Sequence, residues 1–111
     1  VFFVATIHGD VVGWVHINAP ELEKLEHTAE LTLGVIDEYR GHGIGSKLLD
    51  RGVDWALDHE FEKLYNSVPA TNEEAIEFLK ERGWETEAVR KRHYRIDDEY
   101  VDEVMLAKIL G

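Results

Sequence analysis

Tyr39-Arg40-Gly41-His42-Gly43-Ile44-Gly45-Ser46 is the stretch on which both the fold and the chemistry turn. Upstream, Thr28–Val35 alternates, with Ala29, Leu31, Leu33 and Val35 on one face and Glu30, Thr32 and Gly34 on the other. That is the period of a strand. Downstream the period changes: Leu48, Leu49, Gly52, Val53, Ala56 and Leu57 share one face of a helix that should end near His59. The glycines therefore join a strand to the start of a helix. Glycine at alternate positions removes three Cβ atoms, so backbone N–H groups can converge on a ligand. The helix adds its unsatisfied N–H groups and the positive end of its dipole. Together these suit a phosphate or pyrophosphate, and Arg40 adds a cation with fork geometry. A tight turn alone would need only one or two glycines.

Two commoner phosphate motifs do not fit. Counting a Walker loop from Gly41 puts Ser46 at the second glycine and Leu48 at the Ser/Thr position. A dinucleotide fingerprint needs glycine at 46 from Gly41, or at 48 from Gly43, and neither is present.

The rest of the chain is built outward from this junction. Val1–Ile7 and Val11–Ile17, apolar and β-branched or aromatic, read as a hairpin about His8-Gly9-Asp10. Pro20 to Glu26 reads as a loop or a single helical turn. Gly52 costs its helix about 1 kcal/mol of propensity, and the expected return is close approach to the sheet. Lys63–Val68 is a short strand closed by Pro69. Asn72 caps a second helix, Glu73–Arg82, with Glu73 and Glu74 in its first turn and Gly83 at C′. Trp84–Ile96 and Tyr100–Leu110 are extended runs joined at Asp97-Asp98. The order is β-β-β-α-β-α-β-β. It predicts an α/β (α+β) fold: a mixed, mostly antiparallel sheet with helices on both faces, forming a single domain over residues 1–111.

Composition narrows the partners. The chain has 111 residues and a formal charge of −11, which argues against nucleic acid. No apolar run reaches the length of a membrane span, and a cytoplasmic location is expected. There is no cysteine, which removes disulfides, thiolate metal sites and a cysteine nucleophile. The acid excess reads first as a solubilising surface adapted to salt, and second as attraction for a cationic substrate. Either way, an anionic ligand has to be held by local donors. The first residue is Val rather than Met, so part of the natural N-terminus is expected to be missing.

Arg40-Gly41-His42-Gly43-Ile44-Gly45 resembles the [QR]-x-x-G-x-[GA] motif of the GNAT superfamily of acetyl-CoA-dependent N-acetyltransferases. Ala29-Glu30-Leu31 through Val35 is similar to that family's fourth strand, and Asn72 through Gly83-Trp84 to its N-x-x-A-I-x-x-[YF]-x-x-x-G-[FW] helix. The Asp98–Glu103 segment resembles members that acetylate small amines, amino acids or protein N-termini. The resemblance covers the whole chain.

The resemblance implies acetyl-CoA or coenzyme A as co-substrate, with no metal. It implies that Arg40, Gly41, His42, Gly43, Ile44, Gly45 and Ser46 hold the pyrophosphate. It also implies that the pantetheine arm pairs with the backbone of Leu33, Gly34 and Val35, in a gap between the fourth and fifth strands. Gly34 fits a close approach, and Asn72 is implied to bond the pantetheine or a water beside it. The implied reaction is direct acetyl transfer to a primary amine, with Glu30 as base and His27 as a second candidate.

Two departures stand out. Leu79 occupies the position where relatives carry the Tyr that protonates the leaving thiolate. Tyr65, Tyr94 and Tyr100 could substitute, although tyrosines on sheets are usually packing residues. A thiol is a fair leaving group without protonation. The family's first strand and two helices, about 40 residues by average element lengths, are not in the sequence. Leu79 and that gap keep a non-catalytic coenzyme A-binding module open as the alternative, with a simple phosphate or sulfate binder third. A homodimer is also left open.

Overall fold

Residues 2–18 fold into the expected hairpin: β1 (Phe2–Ile7) pairs antiparallel with β2 (Asp10–Asn18) across His8-Gly9, both at positive φ. β2 pairs in turn with β3 (Thr28–Val35), also antiparallel, with Gly13 opposite Val35 and Asn18 opposite Glu30. The computed structural model describes residues 1–20 and 27–111. The segment expected to be a loop or helical turn falls, beyond Pro20, outside the described residues.

A 3-10 turn (Asp37–Tyr39) leads from β3 to α1 (Ile44–Asp58), capped by Gly43 and ending at His59. Then come β4 (Lys63–Pro69), α2 (Glu73–Glu81), β5 (Glu85–Ile96) and β6 (Glu99–Ile109). The element order is the expected one. The chain divides into two compact units, Val1–Leu64 with Leu110–Gly111, and Tyr65–Ile109.

In the first unit the strands run β1-β2-β3, and α1 lies against the face that carries Val15, Ile17 and Leu31. Gly52 lies at a tight point of that contact. A Cβ there would sit 3.1 Å from Leu31 Cδ1 and 3.2 Å from Val15 Cγ2, which bears out the expected close approach. Leu48, Leu49 and Ala56 are buried with it, alongside Val12, Val15, Ile17, Ala29, Leu31 and Leu64. Leu57, placed on the same helical face from sequence, is exposed instead; it lies in the last turn, just before the cap at His59.

In the second unit the strands run β4-β6-β5, and Val68, Leu79, Trp84 and Leu106 are buried. Asn72 caps α2 as expected, its Oδ1 accepting the Ala75 N–H at 3.3 Å. Gly83 takes φ +88°, the left-handed conformation of a helix stop. The hairpin of β5 and β6 turns at Asp97-Asp98, both at positive φ.

That hairpin carries a bulge between Arg90 and Tyr94, where Arg92 adopts φ +52°. Asp102 holds it. Its Oδ1 accepts the Arg92 backbone N–H at 2.9 Å, and Lys91 Nζ lies 3.4 Å from Oδ2. These contacts, the Arg92 N–H first, keep the Asp102 carboxyl below the usual range. A depressed carboxylate stabilises the hairpin above the ordinary aspartate range, and that contribution fades as pH falls through the lowered value.

Exposed pairs such as Arg40–Asp37 and Arg95–Asp98 are each worth about 0–1 kcal/mol. They do not offset an excess of 23 acids over 12 bases. Raising KCl to 1 M shortens the Debye length to about 3 Å and should relieve this self-repulsion. Thermal melts across that range are expected to show a steep rise in Tm. A flat response would remove the salt-adaptation account of the acid excess.

Candidate functional site

The glycine loop has the backbone its sequence called for. Gly41 and Gly43 take φ +82° and +80°, and a Cβ at either would meet nothing within 4 Å. Left-handed residues at alternate positions turn successive N–H groups toward one side. Gly43 is the N-cap of α1 and has no side chain to satisfy the helix's first donors. The loop therefore offers open space, and the helix start brings backbone donors to the positive end of a 15-residue helix. His42 is exposed, whereas Ile44, Gly45 and Ser46 are half-buried as the helix begins.

Arg40 is placed differently from a loose cation. Its Nε donates to the Val35 carbonyl at 3.2 Å, and its Nη2 lies 3.0 Å from Asp37 Oδ1. The sequence suggested an anion ligand, but these two bonds are to the loop's own chain. An acid three residues ahead of an arginine was the available signal for the Asp37 pair.

Glu30 is half-buried on β3, opposite Asn18 on β2. It stands on the face away from α1, since Ala29 and Leu31 on either side are fully buried. Leu33 and Val35 are half-buried. Gly34 needs a different explanation from the one its sequence suggested. A Cβ there would fall 2.2 Å from Cζ2 of Trp14 and 2.5 Å from Cη2. The indole, directly across the strand pair, fills the space over the glycine. Pairing with a ligand's backbone-like arm uses the edge of a strand rather than its face, so it does not need that space.

His27, the second base candidate, is exposed. Its carbonyl accepts the N–H groups of Glu62 and Lys63 at 2.9 and 3.1 Å, a structural use of its backbone. Asn72 belongs to the second unit, where its side chain is engaged as the α2 cap. Tyr94 also lies there. Its hydroxyl donates to Glu103 Oε2 at 3.2 Å, and Arg90 Nε lies 3.2 Å from Oε1 of the same buried carboxylate. Tyr100 is exposed beneath the Arg92 guanidinium, and Tyr65 is half-buried.

Leu79 is 5% exposed, so the position that the resemblance matches to a tyrosine is packed core here. Leu79→Tyr must fit a larger, polar side chain into that space, at a cost of about 1–3 kcal/mol. For a chain of this size the melting temperature is expected to fall by about 4 °C or more. An unchanged Tm would mean that the site has room for the phenol.

Among the described residues, no group of three or more His, Asp or Glu could hold a metal ion, and no helix is long and apolar enough to cross a membrane.

Known proteins resemble this chain in sequence and in fold. The L-amino acid N-acetyltransferase AaaT of Escherichia coli K12 is 27% identical over 96% of this chain and 66% of its own length. An N-alpha-acetyltransferase of Sulfurisphaera tokodaii is 32% identical over 88% of this chain and 64% of its own. The chain thus spans just under two-thirds of these curated relatives. The structure of yncA from Salmonella typhimurium, solved with its cofactor acetyl-CoA, superposes with a TM-score of 0.93. It covers 99% of this chain at 20% identity, and the chain covers 64% of it. The profile of the acetyltransferase (GNAT) family matches residues 1–84, a span that runs from β1 through the glycine loop to the end of α2. With strand, loop and capped helix all inside that span, the chain belongs to the GNAT acetyltransferase family.

Proposed function

We propose that this chain carries the cofactor-binding part of an N-acetyltransferase that moves acetyl from acetyl-CoA to a primary amine: a small amine, an amino acid or a protein N-terminus. One observation carries the proposal. Two left-handed glycines with open space around them stand directly at the N-terminus of α1, where β3 ends. The names of the relatives support the range of acceptors, one an L-amino acid N-acetyltransferase and the other an N-alpha-acetyltransferase.

The residues fit the cofactor. The N–H groups of Gly41 to Ser46 would bind the pyrophosphate, and the backbone groups of Leu33 and Val35 that face away from β2 would bind the pantetheine arm, the Val35 carbonyl keeping its second lone pair free of the Arg40 bond. Bound acetyl-CoA supplies an acetyl group already activated as a thioester. The chain's own contribution is to orient that group and to take a proton from the incoming amine. Glu30 is the proposed base, acting directly or through one water. Much of the remaining acceleration comes from holding the two reactants in line. No tyrosine acid is assigned, so coenzyme A would depart as a thiolate.

The alternative is a module that binds coenzyme A without turnover, and the packed Leu79 favours it. Acetyl-CoA turnover against an amine panel separates the two. Calorimetry with coenzyme A and with inorganic phosphate tests the site itself. Coenzyme A is expected to bind at least tenfold more tightly than phosphate. Equal affinities would leave only a phosphate binder.

A further inference from the structure

Arg40 closes a ring over the end of β3. The Ile36 N–H donates to the Val12 carbonyl at 2.9 Å. Carbonyls alternate along an antiparallel ladder, so the carbonyl of Val35 faces away from β2. That leaves it to be satisfied by a donor from outside the β2 ladder. Arg40 Nε fills that role at 3.2 Å, reaching back over the 3-10 turn Asp37–Tyr39. The Arg40 N–H also bonds the Asp37 carbonyl at 3.2 Å, and its Nη2 meets the Asp37 carboxylate.

Among the described residues, little side-chain packing surrounds the two glycines that follow. Gly41 and Gly43 bring no side chains, and a Cβ at either would touch nothing. The shape of the loop is therefore set at its two ends, by α1 on one side and by Arg40 on the other.

We propose that Arg40 is a positioning residue: through its Nε bond to the Val35 carbonyl it holds the Gly41–Gly43 turn in the conformation that presents N–H groups to an anion. Its charge, already facing Asp37, is not what grips the ligand. The identity of the anion rests on the coenzyme A proposal above, whereas the ordering of the loop does not.

Three variants separate geometry from charge. In Arg40→Gln, Nε2 lies the same number of bonds from Cα as the arginine Nε, so it can donate to Val35 without a charge. Arg40→Lys keeps the charge but has a methylene at that position. Arg40→Ala keeps neither. Backbone order parameters for Gly41, His42 and Gly43 are measured without ligand, and coenzyme A affinity by calorimetry. Wild type and Arg40→Gln are expected near 0.85, with Arg40→Ala and Arg40→Lys below about 0.6. Coenzyme A affinity should fall about tenfold in the Ala and Lys variants and stay within about threefold in the Gln variant.

Unchanged order in Arg40→Ala, or a wild-type loop already below about 0.6, would overturn the proposal. So would a parallel loss of order at Val15 and Leu31, which would make the effect global. Retained affinity in Arg40→Lys with a tenfold loss in Arg40→Gln would show that the charge binds the anion directly. If the wild-type chain does not bind coenzyme A, the cofactor proposal fails, and the order parameters still decide the role of Arg40.

Discussion

Glu30→Gln is expected to slow acetyl transfer by about 10²–10⁴-fold and to leave coenzyme A affinity nearly unchanged. Gln matches Glu in size and keeps its hydrogen bonding, but it cannot accept the proton that the amine must lose. Glu30 is half-buried on β3, flanked by buried Ala29 and Leu31 whose side chains point the other way. Strand geometry thus fixes the carboxylate on the face away from α1. Asn18 lies directly across the strand pair. Steady-state rates with a saturating amine, together with calorimetry, make the comparison. A loss below threefold would clear Glu30 of the role and turn attention to His27.

The second large effect is expected from Gly43→Val. At φ +80° a β-branched residue is a conformational outlier, and the strain is about 1–3 kcal/mol. The backbone would move to relieve it and carry the helix-start N–H groups off target. Losing two charge-assisted bonds, each about 1.5–3 kcal/mol, weakens coenzyme A by about 100-fold or more. The fold should survive, because the added side chain enters open space; a cooperative melt checks this. Wild-type affinity in a folded variant would place the site elsewhere.

The parts of this structure that were legible in sequence are those written in side-chain periodicity and caps. β3 spans Thr28–Val35 as its alternation predicts, and Asn72 caps α2. Gly83 stops that helix in the left-handed region. Element ends shifted where tertiary packing decided them. Trp84, read as the first residue of a strand, is a buried residue just before β5.

Three features of the structure were not legible. The Trp14 ring over Gly34 depends on the β2–β3 register, which fixes Trp14 opposite that glycine. The partner of Arg40 is a backbone carbonyl, and no residue pattern marks it. The bulge at Arg92 lies on a strand exposed along nearly its whole length, so there is no alternation to be broken.

Titrating labelled protein with coenzyme A and following the backbone amide shifts tests the central claim most directly. The account predicts the largest shifts at Gly41 to Ser46, with a second group at Leu33 and Val35. Inorganic phosphate should move only the first group, and only at much higher concentration. Shifts centred elsewhere in the chain, or phosphate reproducing both groups at equal concentration, would contradict it.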